Sequence, residues 1–183
     1  MNPRTCTLVA LALSCVPALA AQSGPPTPPA ELSQLSTFVG NWQCTGQIYA
    51  RDSHPGHATA ATGRGMKAAG GHWIQFAYEE HKTSANSAPY SIAGYFGYDG
   101  SKKQFVQTVV DNYGSYGPSY SDGWKSDTMM FAGSSPAGDG KSMPVRDYFV
   151  RKGRDGFVHF SEGQGPDGKW RKPDEETCRL AAR

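Results

Sequence analysis

The chain has 183 residues, with 18 Lys and Arg against 16 Asp and Glu, so its formal net charge is +2. The basic residues are scattered, which argues against a nucleic-acid-binding protein, because such proteins neutralise several phosphates with clustered Lys and Arg. The length fits one domain with a sizeable core.

The first twenty residues are typical of a secretory signal peptide. Arg4 gives an early positive charge, residues 8–13 form an apolar run, and an Ala-Leu-Ala sequence ends at Ala20. The run is too short to span a bilayer, which takes about 20 apolar residues. A lipoprotein signal, in which Cys15 would carry the lipid, is the alternative. We therefore expect an exported protein, periplasmic or secreted, with no membrane span and with cleavage near Ala20.

Four cysteines become two on cleavage, because Cys6 and Cys15 would leave and Cys44 and Cys178 would remain. In an oxidising compartment an isolated pair usually forms a disulfide. Two free thiols or a redox pair are the alternatives. A redox pair normally lies close in sequence as Cys-x-x-Cys, whereas these residues are 134 positions apart. We therefore expect a structural disulfide between Cys44 and Cys178.

Residues 21–31, AQSGPPTPPAE, form a Pro-rich leader that we expect to be extended and poorly packed. After it, Leu32, Leu35 and Phe38 recur at helical spacing, which predicts one short helix or 3₁₀ turn. A single domain should then cover residues 32–183.

From Trp42 onward, runs of about 6 to 12 residues rich in Tyr, Phe, Val, Ile and Thr alternate with turn signals. This pattern is typical of an antiparallel all-β domain. We predict ten strands, at about residues 40–50, 59–68, 71–81, 90–98, 103–111, 114–124, 127–133, 143–152, 156–164 and 169–180.

Three of the predicted connections contain an Asp-Gly pair, at residues 99–100, 155–156 and 167–168. Asp-Gly suits tight hairpins because these turns need a positive φ, which glycine adopts without a steric cost. Strands that are neighbours in sequence should therefore be neighbours in space, as in a meander.

An even-numbered meander closes into a barrel when its last strand pairs antiparallel with its first, and closure removes exposed sheet edges. Cys44 lies in the first predicted strand and Cys178 in the last. Opposed Cα atoms on neighbouring strands are roughly 4.5–5.5 Å apart, within the range that a disulfide tolerates. The sequence therefore predicts an all-β, closed antiparallel meander barrel of about ten strands, with the disulfide across its seam.

Six segments, in their order, resemble a bacterial exported lipocalin-like (calycin-type) β-barrel family, a domain of unknown function distantly similar to nitrobindin. The segments are FVGNWQCTGQ, GGHWIQFAYEE, GYFGYDGSKKQF, VVDNYGSYG, GRDGFVHF and KWRKPDEETCRL. The resemblance covers about residues 33–180 and implies a closed barrel of about ten strands.

In lipocalin-like barrels a glycine-framed tryptophan closes one end, often beneath an arginine of the last strand. Trp42 matches the tryptophan, and the resemblance implies that Arg179 lies over its ring, a contact worth roughly 0.5–2 kcal/mol. Strict alternation puts Trp42 and Cys44 on one face but Cys178 and Arg179 on opposite faces. Both pairings hold only if a bulge or twist intervenes.

Nitrobindin binds haem through a histidine near its C-terminus. The last predicted strand here contains no histidine, and His159 belongs to the strand before it. We therefore expect no haem and no other cofactor.

A ten-strand barrel is wide enough to hold one small ligand. In each of three predicted strands, one face contains both polar and apolar or aromatic residues. These faces contain Phe105, Gln107, Val109 and Asp111; Arg146 and Tyr148; and Phe157, His159 and Ser161. If they point inward, Asp111, Arg146 and His159 form a polar patch that orients a ligand. The alternative is that the charges point outward, since a one-residue slip inverts a strand.

The candidate ligand-binding residues are Trp42, Phe76, Gln107, Asp111, Arg146, Tyr148 and His159.

Two other groups of ionisable residues have weaker signals. His54 and His57 in HPGH have a spacing compatible with a metal ion, but only Asp52 lies nearby to complete a site, and an exposed loop pair is the alternative. Glu79 and Glu80 should point to opposite faces of one strand, so they cannot act as a carboxylate pair. We expect no metal site.

We expect a non-catalytic exported protein that binds one small, largely apolar ligand inside its barrel. The second hypothesis is a small-molecule enzyme, an isomerase or hydrolase, with an internal acid–base pair such as Asp111 and His159. The third is a structural or partner-binding module of the cell envelope, which an exposed Tyr-rich patch at residues 113–124 would favour.

Overall fold

The computed structural model describes residues 24–51, 55–136 and 142–182. The expected signal peptide, Cys15 and the start of the Pro-rich leader lie outside this part of the chain. The described end of the leader, residues 24–29, has no helix or strand, and the carbonyl oxygen of Pro26 accepts a hydrogen bond from Nε2 of His72 at 2.9 Å. No helix among the described residues is long and apolar enough to cross a membrane.

Two 3₁₀ helices, Ala30–Phe38 and Ala69–Gly71, accompany twelve strands in the described residues. The strands are β1 (Gly40–Ile48), β2 (His57–Ala68), β3 (Trp73–Glu80), β4 (Ser91–Asp99), β5 (Gln104–Asp111), β6 (Tyr116–Ser121), β7 (Trp124–Lys125), β8 (Thr128–Pro136), β9 (Ser142–Arg151), β10 (Gly156–Gln164), β11 (Trp170–Arg171) and β12 (Asp174–Leu180).

Ten of these strands form a closed antiparallel barrel. Each pairs with the next from β1 to β6 and then through β8, β9, β10 and β12, and β12 returns to β1. Cys44 stands directly opposite Cys178 in the closing pair, and a disulfide joins them. The predictions of an all-β ten-strand barrel and of a disulfide across its seam are therefore confirmed.

The short strands β7 and β11 arise where the sequence interrupts two predicted strands. Gly123 has a φ of +95°, which turns the chain between β6 and β7. Pro173 lacks an N–H group, so pairing with β10 is interrupted between β11 and β12. The predicted strands at 114–124 and 169–180 are each divided at these residues.

The helix Ala30–Phe38 closes one end of the barrel, as the sequence predicted a short helix or 3₁₀ turn there. Side chains three residues apart eclipse one another in a 3₁₀ helix, so Leu32, Leu35 and Phe38 form one buried row. The ring of Phe38 stacks on Phe96 at 4.6 Å and meets the edge of Phe149 at 4.9 Å. The row therefore fills the barrel opening from within.

Beside this helix the barrel interior is tightly filled, and we call this region the apolar half. Its inward side chains are Trp42, Ile74, Phe76, Phe96, Phe105, Met129, Phe131, Phe149 and Phe157, together with the disulfide. Trp42 Nε1 donates to the carbonyl of Phe38 at 3.3 Å, and the indole packs against Phe157 at 4.9 Å. Each such side chain contributes about 1.5–3 kcal/mol through its burial.

Arg179 does not lie over Trp42, so that expectation from the resemblance is wrong. The two cysteines stand directly opposite each other within an uninterrupted run of pairs between β1 and β12. No bulge intervenes, and alternation therefore turns Arg179 outward, where it is exposed. The cation–π contact at this end is instead made by Arg151, which lies 3.6 Å from the ring centre of Trp124.

Candidate ligand-binding site

The half of the barrel away from the helix Ala30–Phe38 is lined by ionisable side chains, and we call it the acidic half. Five carboxylates and two histidines point into it from five strands and from the start of β2. They are Glu80, Asp111, Asp147, Asp174, Glu176, His57 and His159. The topology therefore gathers acids that lie far apart in the sequence.

Glu176 is buried against the strands next to it. Its Oε1 accepts hydrogen bonds from Thr59 Oγ1 at 2.7 Å and from the hydroxyl of Tyr78. Gly46 has no room for a side chain, because a Cβ there would clash with the carbonyl oxygen of Glu175 and lie 2.6 Å from Cγ of Glu176. Glycine at this position therefore lets β12 lie close to β1 beside the carboxylate.

Glu80 anchors the loop that follows β3 through hydrogen bonds. Its Oε1 lies 3.0 Å from His57 Nε2, and its Oε2 accepts from Asn86 Nδ2 at 2.7 Å and from the backbone N–H of Tyr90 at 2.9 Å. Glu79 is exposed on the opposite face, as predicted. Both carboxylate oxygens of Glu80 are thus occupied by the protein itself.

His54 and Asp52, two of the three residues considered for a metal site in the sequence, lie outside the described residues. His57 faces Glu80 inside the barrel instead of lying in an exposed loop. Among the residues that the structure describes, no three His, Cys, Asp or Glu side chains are close enough together to hold a metal ion.

His159 lies between two carboxylates. Its Nε2 is 3.7 Å from Asp147 Oδ1, and its Nδ1 is 4.0 Å from Asp174 Oδ1. Desolvation lowers the pKa of His159, but Asp147, Asp174 and Glu176 outweigh it and raise that pKa above its ordinary value. These carboxylates therefore stabilise the imidazolium form of His159 relative to that of a free histidine.

The acidic half is open to water. The side chains of His159, Asp147 and Asp174 point into the barrel, yet they retain 27%, 21% and 21% of their exposure. In the apolar half, by contrast, Phe131 and Met129 are fully buried. The barrel is therefore filled at one end and accessible to water at the other.

Gln107 points inward from β5, opposite Phe96 and Ser119, and is buried with 5% of its surface exposed. Its Oε1 has no hydrogen-bond partner among the described residues. Leaving a buried carbonyl oxygen unpaired costs about 1–3 kcal/mol. On the inward face of β5, Gln107 lies between Phe105 of the apolar half and Asp111 of the acidic half. It therefore belongs to the boundary between the two halves, which we call the floor of the acidic half.

Two open grooves mark the outer surface of the barrel. One of about 460 Å³ lies beside Lys152, Asp155 and Arg179, and one of about 230 Å³ lies beside Asp122 and Lys125. Neither contains a residue of the acidic half. Converging inward groups, rather than these shallow grooves, define the candidate site.

Three of the seven predicted binding residues reach the acidic half or its floor, namely Gln107, Asp111 and His159. Trp42 and Phe76 also point inward, but they are packed in the apolar half. Asp111 accepts hydrogen bonds from the hydroxyl of Tyr90 at 3.1 Å and from backbone N–H groups of its own turn.

Arg146 and Tyr148 face outward, so the predicted interior set of Asp111, Arg146 and His159 does not form. The guanidinium of Arg146 lies 3.7 Å from the ring centre of Trp170, and Tyr148 stacks on Phe160 at 4.6 Å. The physical reason is strand register, since pairing with β8 and β10 gives the inward position to Asp147.

Sequence reasoning missed Asp147, Asp174, Glu176 and Tyr78 as lining residues. A signal for three of them was present. Once Cys178 is assigned to the interior, alternation along β12 also turns Glu176 and Asp174 inward, and the predicted inward position of Phe76 does the same for Tyr78 on β3. Asp147 had no comparable reference residue, because the sequence analysis assigned Arg146 and Tyr148 to the inward face of its strand.

Alkaline solution should weaken the fold through Tyr78 and Tyr90. Burial and the carboxylates of Glu176 and Asp111 raise the pKa of both hydroxyls far above the ordinary value of about 10. The unfolded chain therefore releases these protons first, and stability that is present below pH 10 is lost as the pH rises above it. We expect at most about 1.4 kcal/mol per pH unit for each tyrosine, measured by urea unfolding between pH 8 and 11.

The control for this measurement is Tyr116→Phe, which changes an exposed tyrosine. It should retain the wild-type slope of unfolding free energy against pH, whereas Tyr78→Phe/Tyr90→Phe should flatten it. Equal slopes in the wild type and the double variant would contradict the assignment.

Comparisons with known proteins show what the chain and its fold are similar to. No curated protein matches the sequence. The crystal structure of Rv2717c from M. tuberculosis is similar, with a TM-score of 0.65 and 11% identity over 85% of this chain and 100% of that chain, which supports the barrel fold alone. A redesigned β-barrel aligns with a TM-score of 0.41 and 14% identity over 80% of this chain and 94% of that one. A family model matches residues 27–177, and the chain therefore belongs to the family described as "Protein of unknown function (DUF1579)".

Proposed function

We propose that this protein is an exported, non-catalytic binding protein that holds one small ligand in the acidic half of its barrel. The observation that carries the proposal is the contrast between the two halves. Aromatic rings fill the apolar half, whereas His159, Asp147 and Asp174 remain in contact with water although they point inward. A barrel end whose inward polar side chains are reached by water can admit a small ligand.

Export is supported by the disulfide between Cys44 and Cys178. Such bonds persist in oxidising compartments such as the bacterial periplasm. The expected signal peptide, with cleavage near Ala20, is consistent with that location.

The lining favours a polar ligand over the largely apolar one that the sequence led us to expect. The inward rings are used in packing against one another, as Phe96 is against Phe38, Phe131 and Phe149. What remains accessible is mainly carboxylate, imidazole and hydroxyl. The residues also do not fit haem, because β12 turns Asp174 and Glu176 inward, and carboxylates repel the haem propionates.

A catalytic function has one observation in its favour. A histidine between two carboxylates, with its pKa raised, is suited to donating a proton. The partners differ from the pair that the sequence proposed, because His159 faces Asp147 and Asp174 while Asp111 is engaged by Tyr90 and its own turn. Binding remains the simpler role for this lining.

Native mass spectrometry of protein purified from a bacterial periplasm tests the proposal. We expect an extra mass that leaves on denaturation. Returning that compound at one hundred times its Kd should stabilise the fold by about 2.7 kcal/mol, measured by thermal unfolding.

Two variants serve as a matched pair for this experiment. Ser161→Phe places a ring in the acidic half and should abolish the adduct, whereas Val158→Phe places the same ring on the outer face of β10 and should retain it. A bare wild-type protein that no member of a small-molecule library stabilises would refute the proposed function.

A further inference from the structure

The carboxylates of the acidic half differ in how far the protein already satisfies them. Glu80 and Asp111 use both oxygens in hydrogen bonds, one oxygen with residues of the adjoining loop and the other with His57 and Tyr90 respectively. Asp174 uses both oxygens on Ser161, accepting from its backbone N–H at 3.1 Å and from its hydroxyl at 2.6 Å. These three carboxylates have structural partners and need no ligand.

Three acceptors remain without a hydrogen bond among the described residues. Asp147 accepts none, and its nearest charged neighbour is His159 at 3.7 Å. Glu176 uses only Oε1, which leaves Oε2 free. Gln107 Oε1 is buried and unpaired. All three groups can accept a hydrogen bond through these atoms, so the partner they lack is a donor.

The charge around these acceptors is negative. The strand register turns all five carboxylates into the same half of the barrel, Glu80 from β3, Asp111 from β5, Asp147 from β9, and Asp174 and Glu176 from β12. In the described part of the chain their counter-charges are histidines, and none of the five forms an ion pair with Lys or Arg. A recess lined by one sign of charge attracts the opposite sign, more strongly where water is scarce.

Resting on the proposed function, we propose that the ligand is a small organic cation with N–H donors, a primary ammonium or a guanidinium, held by Asp147, Glu176 and Gln107. An ammonium offers three N–H donors and a guanidinium five, which matches three free acceptors without leaving a buried acceptor unpaired. A carboxylic acid or a phosphate would bring further negative charge beside five carboxylates.

The surroundings favour an organic cation over a bare metal ion. Among the described residues, no three ligating side chains are close enough to coordinate a metal. The floor beside the acceptors is aromatic, since the ring of Phe149 lies 4.9 Å from His159 and Gln107 stands opposite Phe96. This surface can pack against the carbon skeleton of an amine.

Isothermal titration calorimetry at low ionic strength tests the inference with defined probes. We expect 2-phenylethylamine and agmatine to bind, and the neutral 2-phenylethanol and anionic phenylacetate to bind at least tenfold more weakly. Calcium chloride is titrated separately to test whether a bare metal ion binds instead of an amine.

Variants then locate the binding. Asp147→Asn and Glu176→Gln should each weaken amine binding at least tenfold, whereas Glu175→Gln, on the outward face of the same strand as Glu176, should leave it unchanged. Gln107→Met keeps the size of the side chain but removes the free acceptor. It should weaken binding tenfold without lowering the unfolding temperature, a result that a purely structural role for Gln107 would not give.

Each contrary result has a separate meaning. Equal affinity for the amine and the alcohol, unchanged binding in Glu176→Gln, or calcium binding without amine binding overturns the inference. A neutral or anionic adduct in the native mass spectrum, with no amine binding, also overturns it but leaves the proposed function intact. A bare protein that binds none of the probes or library compounds refutes both.

Discussion

Replacing both cysteines, Cys44→Ala/Cys178→Ala, is expected to lower the free energy of unfolding by about 2–5 kcal/mol. The disulfide closes a loop of 134 residues between the first and last strands of the barrel. Without it, the unfolded chain gains conformational freedom and the seam is held by backbone hydrogen bonds and packing alone. Urea unfolding of the oxidised wild type and of the double variant measures the difference.

Reduced wild-type protein is the matched control, because it lacks the bond but retains both side chains. Its unfolding free energy should fall close to that of the double variant. If removing the bond changes stability by less than about 1 kcal/mol, the disulfide is not a main constraint on the unfolded chain.

Phe38→Ala should cost about 3–5 kcal/mol, the range for deleting a large aromatic side chain from a core. Phe38 is fully buried and contacts Phe96, Trp124, Phe149 and Phe157. Its loss leaves a cavity where the N-terminal helix enters the barrel. The measurement is again urea unfolding, with binding of an apolar dye as a second readout of the opened end.

Ser36→Ala is the control for this prediction. Ser36 is an exposed residue of the same helix, and its replacement should change stability by less than about 0.5 kcal/mol. A loss below about 1 kcal/mol in Phe38→Ala would show that the helix does not close the barrel as described.

The fold was predictable because its signals are local and agree with one another. Alternation predicted the strands, spacing by three residues in Leu32, Leu35 and Phe38 predicted the helical row, and the two cysteines predicted the seam. The three Asp-Gly pairs lie at or beside connections, but only Gly168 has the positive φ that the turn prediction assumed. Each signal depends on residues close in sequence or on a single covalent pair.

The site was predictable only in part because it depends on which face of each strand points inward. In β9 both faces mix apolar and charged residues, with Asp147 beside Phe149 on one face and Arg146 beside Tyr148 on the other. No amphipathic pattern separates them, and packing of Phe149 against Phe38 settles the orientation. On β5 the inward alternative for Gln107 and Asp111 is the observed orientation, because Phe105 shares their face and packs in the core.

The hydrogen bond between Pro26 and His72 fixes where the described part of the leader lies. His72 lies in the connection between β2 and β3, at the closed pole of the barrel, so residues 24–29 lie at that pole. The acidic half opens at the opposite pole, so solutes can enter it without passing residues 24–29.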